Sequence, residues 1–494
     1  MRPKSINMRI ELKNLFGVSI SLFLSCGAWT AVYSLSSTIH AAHGLGLASF
    51  SLLFVGHAIV CLFAPVLVAK FGTKYSLVVG MLCWVIYIGC HLYPKWYVLL
   101  PVSILVGLGS TPLWIAAATH LTSSAIQMAK SSTEFTTQSL ISRFIGVYYL
   151  AQLFSTIPGN LVSSLVLFQG TSSIVANHST EFCASQDCGN SKHYDESNNS
   201  TIEAQNHIDP RTEMILFCSL LTCCVVGLFV VIVTTDFLQT YCDDLPQQSD
   251  FKATFKMTTR IMTSTTFLLA LPLIALNGFE LGFLYGVFTK SFVSCTLGVQ
   301  TIGLVMTVSG CGGALFSISG GTLAKYTGWI PIATFGFLSH GVLVICMLLW
   351  KPFVAYDNKW HLFVMGFMLS GGAILRSTHV TALLGILYPR DQEAAYGAQL
   401  FFHFLCYALP TALRIPNQVC TSHILFTQLV LLILATLGYY LLEWRVKKHA
   451  KRRGEKSEYK PTKILHIKDM KEGDLMTTIP EYGGYISKSA EARL

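Results

Sequence analysis

The feature that most constrains this chain is a series of apolar runs, each about as long as a membrane-crossing helix. The hydrocarbon core of a bilayer is ~30 Å thick and takes roughly 20 mainly apolar residues per α-helix. Twelve such runs are read, at 14–36, 47–69, 76–93, 96–119, 139–168, 213–236, 262–288, 297–320, 329–350, 361–387, 394–413 and 421–443. Lipid cannot satisfy exposed backbone groups, so runs of this kind fold as helices. Composition agrees: 52% of the 494 residues are hydrophobic and 12% are charged, where a soluble domain carries about 25% charged residues. A water-soluble enzyme and a chain disordered throughout are both excluded. The expected fold class is an all-α polytopic membrane protein with twelve transmembrane helices.

The polar segments organise these spans. Residues 1–13 are a short basic N-terminus, and the apolar run that follows lacks a cleavage site, so no signal peptide is expected. A first half, 14–236, contains one long polar loop at 169–212. A linker, 237–261, leads to a second half, 262–443, and a basic tail, 444–494, offers no core to fold around. Threading the spans from a cytoplasmic N-terminus leaves most of the 34 basic residues, and both termini, in the cytoplasm. The net charge of +9 is thus a matter of membrane orientation, and no nucleic-acid partner is expected. The long loop then faces outward. It holds three glycosylation sequons, at Asn177, Asn198 and Asn199, and a cysteine pair, Cys183 and Cys188, for which a disulfide is expected in an oxidising compartment. Most other cysteines lie inside apolar runs as small soft hydrophobes. The plasma membrane and the endomembranes both fit.

The two halves look related. Pro65-Val-Leu-Val-Ala-Lys70-Phe-Gly72-Thr-Lys74 follows the second span, and Gly321-Thr-Leu-Ala-Lys325-Tyr-Thr-Gly328 follows the eighth. Both place a basic residue and a glycine in a tight turn, six spans apart. Two similar six-helix halves joined by a linker make a major-facilitator-like architecture. The turn resembles that superfamily's loop motif at Lys70, Gly72 and Lys74. It departs from it at Pro65 and at Ala69, where an acid belongs.

Four stretches carry a closer resemblance: Gly107-Leu-Gly-Ser-Thr-Pro112-Leu-Trp114, Gly159-Asn160-Leu-Val-Ser-Ser164, the Cys183-x4-Cys188 pair, and Ser291-Phe-Val-Ser-Cys295-Thr-Leu-Gly298. In order and spacing the chain resembles the uncoordinated-ninety-three (Unc-ninety-three) family of ion-channel regulatory proteins, A-type members, over about residues 10–440. The resemblance implies a regulator of two-pore-domain potassium channels or an escort of membrane receptors. The chain departs from the family at Arg376 and at Phe401-Phe-His403-Phe404, where relatives carry a more polar stretch.

Polar residues deep in a membrane are costly and are functional candidates. Glu280 in the seventh span and Arg376 in the tenth either bind a solute, a proton or a partner helix, or pair with each other. His57, with His340, His379 and His403, also falls inside spans. No two show the i, i+4 spacing of a helical metal pair, so interior hydrogen bonding is expected, with no metal and no cofactor. Gly278, Gly282 and Gly286 form a small-residue stripe that packs against another helix, inside the bundle or on a partner. Pro112, beside Trp114, kinks the fourth span, and Asn160 is a candidate for an interhelical hydrogen bond. Arg445, Lys447, Lys448, Lys451, Arg452 and Arg453 follow the last span and suit anionic lipid. Signatures of phosphate-binding loops, hydrolase elbows and zinc sites are lacking, so the chain is read as non-enzymatic. The function expected is that of a membrane accessory protein whose partners are the lipid bilayer and a potassium channel or receptor. The alternative is a major-facilitator secondary transporter of a small-molecule solute, with Glu280 as its proton or cation site.

Overall fold

The computed structural model describes residues 4–41, 44–131, 137–170, 183–188, 208–237, 251–350, 360–388, 391–415 and 419–452. Asn177, Asn198 and Asn199, much of the linker and most of the tail lie outside the described residues. Every regular element among the described residues is helical. The first half comprises α1 (Lys4–Ile39), α2 (Leu45–Cys61), α3 (Ala64–Phe71), α4 (Thr73–Cys90), α5 (Trp96–Ser131), α6 (Thr137–Gly170) and α7 (Pro210–Thr234). A linker helix α8 (Phe251–Met262) precedes α9 (Thr265–Gly282), which runs on as a π-helix (Phe283–Ser294) into the short α10 (Cys295–Leu297). Then come α11 (Ile302–Thr327), α12 (Trp329–Leu349), α13 (Trp360–Leu387), α14 (Gln392–Arg414) and α15 (Thr421–Arg452).

Each of the twelve expected spans coincides with a helix or a helix pair. Among the described residues nine helices are long and apolar enough to cross a membrane unaided, and ten if the bent pair α2–α3 is one span. The bend there is 72°. Pro65 stands in the first turn of α3, where its missing N–H would break the hydrogen-bond ladder of a continuous helix. The other two spans, α13 and α14, bury Arg376 and His379, and Gln399, respectively, which lowers their apolarity without removing them from the bundle. Large apolar side chains cover the outside: Phe335, Leu338 and Leu349 on α12 are 68%, 67% and 74% exposed. A monomer in water rarely shows such a continuous apolar surface.

The seventh span departs from its expected end at residue 288, because the π-helix carries it to Leu297. Its polar run of Thr289, Lys290 and Ser291 reads as a loop, yet Thr289 and Ser291 are buried against other helices.

Backbone geometry repeats between the halves. Gly72 precedes α4 with φ 84° and ψ 159°, and Gly328 precedes α12 with φ 76° and ψ 173°. That conformation is open essentially only to glycine, so the same corner is built after the second and the eighth spans. The halves join where α2 packs on α14, α6 on α11, and α1 on the π-helix. One apolar core runs from the first half across this seam into the π-helix. A second core lies among α9, α12, α13, α14 and α15.

Candidate functional site

Glu280 on α9 is fully buried, and Arg376 on α13 is 6% exposed. The structure brings them together: Arg376 Nη2 donates to Glu280 Oε2. On the other side His340 Nδ1 of α12 lies 3.0 Å from Glu280 Oε1. Its Nε2 lies 3.1 Å from the side-chain amide of Gln428 on α15. With the proton on Nδ1, toward the carboxylate, Nε2 is left as the acceptor for the Gln428 amide. Four helices of the second half therefore share one polar knot. His340 and Gln428 were not singled out with Glu280, since nothing in sequence spacing links the four positions.

The glycine stripe lies against α14. A Cβ on Gly278 would run into the His403 carbonyl, one on Gly282 into the Tyr407 carbonyl, and one on Gly286 into the Thr411 methyl. Both helices present their contact residues four apart. This face is thus covered inside the bundle.

The other intramembrane candidates lie at or near the seam between the halves. His57 Nδ1 is 2.8 Å from Thr111 Oγ1, beside Pro112, and its ring lies 5.2 Å from that of Phe404 on α14. Thr111 donates its own hydroxyl to Gly107 O at 2.7 Å, so it accepts from the imidazole N–H. Trp114 packs its ring 5.6 Å from Trp84 within the first half. Asn160 Nδ2 donates to Thr156 O at 2.8 Å, within α6. The Asn160 carbonyl closes on Gly303 of α11, where no Cβ would fit. Around these residues the seam is aromatic and hydroxylic. Tyr33 meets Tyr285 edge-on at 4.7 Å, Phe54 stacks on Tyr407 at 3.9 Å, and Ser51 Oγ lies 2.8 Å from Thr411 Oγ1.

Cys183 and Cys188 are both in disulfides, but not with each other, which corrects the expected loop pair. Cys183 bonds Cys295 at the end of the seventh span, and Cys188 bonds Cys420 just before α15. The reason is where the segment sits. Residues 183–188 belong to a first-half loop, yet they lie on the end of the second half. Arg414, 1% exposed, donates to Asp187 O at 2.9 Å and to Val419 O at 2.8 Å. Its guanidinium also pairs with Asp187 Oδ2 at 2.5 Å. Thr421 N donates to Asp187 O at 2.9 Å, and Ser185 Oγ to Leu348 O at 3.1 Å. A 3-10 turn, Ala184–Gln186, separates the two thiols and sends each to its own partner. A signal for this was present: Cys295 and Cys420 stand outside the apolar runs that hold most of the other cysteines.

The loop motif at Lys74 is satisfied within the first half. Lys74 Nζ donates to Thr235 O at 2.6 Å and lies 4.5 Å from the Phe237 ring centre.

The sequence matches the family model described as "Ion channel regulatory protein UNC-93" over residues 37–437. Protein unc-93 homolog A of Bos taurus is 30% identical over 453 residues, covering 90% of this chain and 95% of that protein. A Caenorhabditis elegans relative, provisionally named a potassium channel regulatory protein, unc-93, is 25% identical over 447 residues, 90% of this chain and 62% of that protein. Among solved structures, the nucleoside transporter NupG is similar with a TM-score of 0.60 at 12% identity, covering 87% of this chain and 99% of that one. At that identity the likeness speaks of the fold alone.

Proposed function

Starting from a chain that belongs to the UNC-93 family of ion channel regulatory proteins, we propose that it is a non-enzymatic accessory protein that binds a potassium channel and biases its gating or its delivery to the surface. The observation that supports this most is at Glu280. For a proton or cation to couple at Glu280, it would have to displace Arg376 from the carboxylate. Glu280 is fully buried, bonded to Arg376 and flanked by His340, all within the second half. Its charge is already matched. Ala69 stands where the loop motif of transporters has an acid, and Lys74 is held by the first half alone. With both termini in the cytoplasm, residues 183–188 lie on the outer side, where the partner contacts would be made.

The test is co-purification of the full chain with two-pore-domain potassium channels from one membrane preparation. Recovery of a channel that survives mild detergent, and is lost to a competing untagged copy, is the expected result. A solute carrier is the second reading, favoured by the likeness of fold to a nucleoside transporter. Under it, substrate uptake is measurable and, counted per folded molecule in the membrane, falls when Glu280→Gln is introduced. Under the accessory reading no substrate-dependent uptake occurs.

A further inference from the structure

The linker helix α8 carries Lys252, Lys256 and Arg260 four residues apart, all exposed. At 3.6 residues per turn they form one slanted stripe. The opposite face is buried: Ile261 is 4% exposed and Thr258 2%. That face packs on α14, while Phe255 at its edge stacks on Phe63, at the bend between α2 and α3, 6.1 Å between ring centres. The helix is therefore held in place by its apolar side and presents the cations outward. Three like charges on one turn-spaced line, with no ion-pair partner among the described residues, make a local positive face that attracts anions.

The position of the stripe says which anion. Ser264 caps α9, accepting from Phe267 N at 3.3 Å, and the span begins at Thr265. Arg260 stands five residues earlier, so chain geometry keeps it within about 17 Å of the membrane-crossing segment. The whole of α8 is only ~18 Å long. A helix on so short a leash stays at the headgroup layer.

We infer that the Lys252, Lys256 and Arg260 face of α8 binds the phosphate-bearing headgroups of anionic lipids in the adjoining leaflet, and so fixes the linker against the membrane. This holds whichever membrane partner the protein serves.

The experiment uses the purified full chain in detergent, titrated with phosphatidylserine or with phosphatidylcholine, reading retained lipid by native mass spectrometry. Phosphatidylserine is retained preferentially. The K252Q/K256Q/R260Q variant needs on the order of a hundredfold more of it for the same occupancy. A charge-preserving variant, K252R/K256R/R260K, behaves as the wild type, which separates charge from folding. A variant with Arg445, Lys447, Lys448, Lys451, Arg452 and Arg453 changed to Gln keeps the α8-dependent part. Equal retention of the two lipids overturns the inference. So does wild-type retention by the Gln variant, competition by inorganic phosphate at equal concentration, or preference for an acidic peptide over phosphatidylserine.

Discussion

Glu280 shows how a single buried charge is made tolerable. A carboxylate in an apolar bundle is costly unless paired and hydrogen-bonded, and here Arg376 and His340 stand on either side of it. Removing one partner leaves the other stranded, which typically costs about 3–5 kcal/mol. Glu280→Gln is therefore expected to destabilise the protein by that amount in denaturant or thermal unfolding. Adding Arg376→Met should recover part of the loss, because the stranded cation goes with it. A Glu280→Gln protein as stable as the wild type would contradict the pairing. The sequence displayed one deep acid and one deep base, so a pair was legible as a possibility. That they meet was not, since 96 positions separate them and only the packing of α9 on α13 closes that distance.

At the scale of elements, the α9–α14 contact rests on glycine. The space at Gly282 is filled by the Tyr407 carbonyl, and backbone cannot move aside as a side-chain tip can. Gly282→Leu is expected to cost more than the 1–3 kcal/mol usual for overpacking, read as loss of monodisperse protein in size-exclusion profiles. A wild-type profile would show that α14 is free to shift. The stripe was legible from its spacing; its partner helix was not. The π-helix was hidden too, because its first residues continue an ordinary apolar run, Thr289, Lys290 and Ser291 read as a loop, and the wider turn follows from tertiary packing.

A second element-scale expectation concerns pH. His40, just past α1, and His91, just past α4, have ring centres 5.1 Å apart and share Phe217 as a neighbour. Burial lowers His40 to about 3, helped by His91, and burial lowers His91 to about 4 despite its bond to Tyr87 O. Unfolded, each titrates near 6.5. The folded state thus holds fewer protons below pH 6.5, and stability present in full above that pH is lost as acidity rises. Going from pH 7 to 5 should cost about 2 kcal/mol per histidine. Melting curves across this window should flatten in His91→Phe. An unchanged acid slope in that variant would mean that other groups set it.

For the whole molecule, the architecture was legible and the stitching was not. Apolar runs and the paired Gly72 and Gly328 corners are local patterns, so the twelve spans and the major-facilitator-like fold could be read directly. The disulfides join positions 112 and 232 residues apart, and only the resting place of residues 183–188 selects their partners. Peptide mapping without reductant should recover Cys183 linked to Cys295 and Cys188 linked to Cys420. A Cys183–Cys188 peptide would overturn the placement of this segment on the second half.

As an accessory protein, this scaffold acts on a channel. That action is tested most directly by recording two-pore potassium channels expressed with and without the protein, while labelling both at the cell surface. Altered current per surface channel, or an altered number of channels there, is the expected result. Unchanged current and unchanged surface number for every channel tried, together with solute uptake that depends on Glu280, would contradict it.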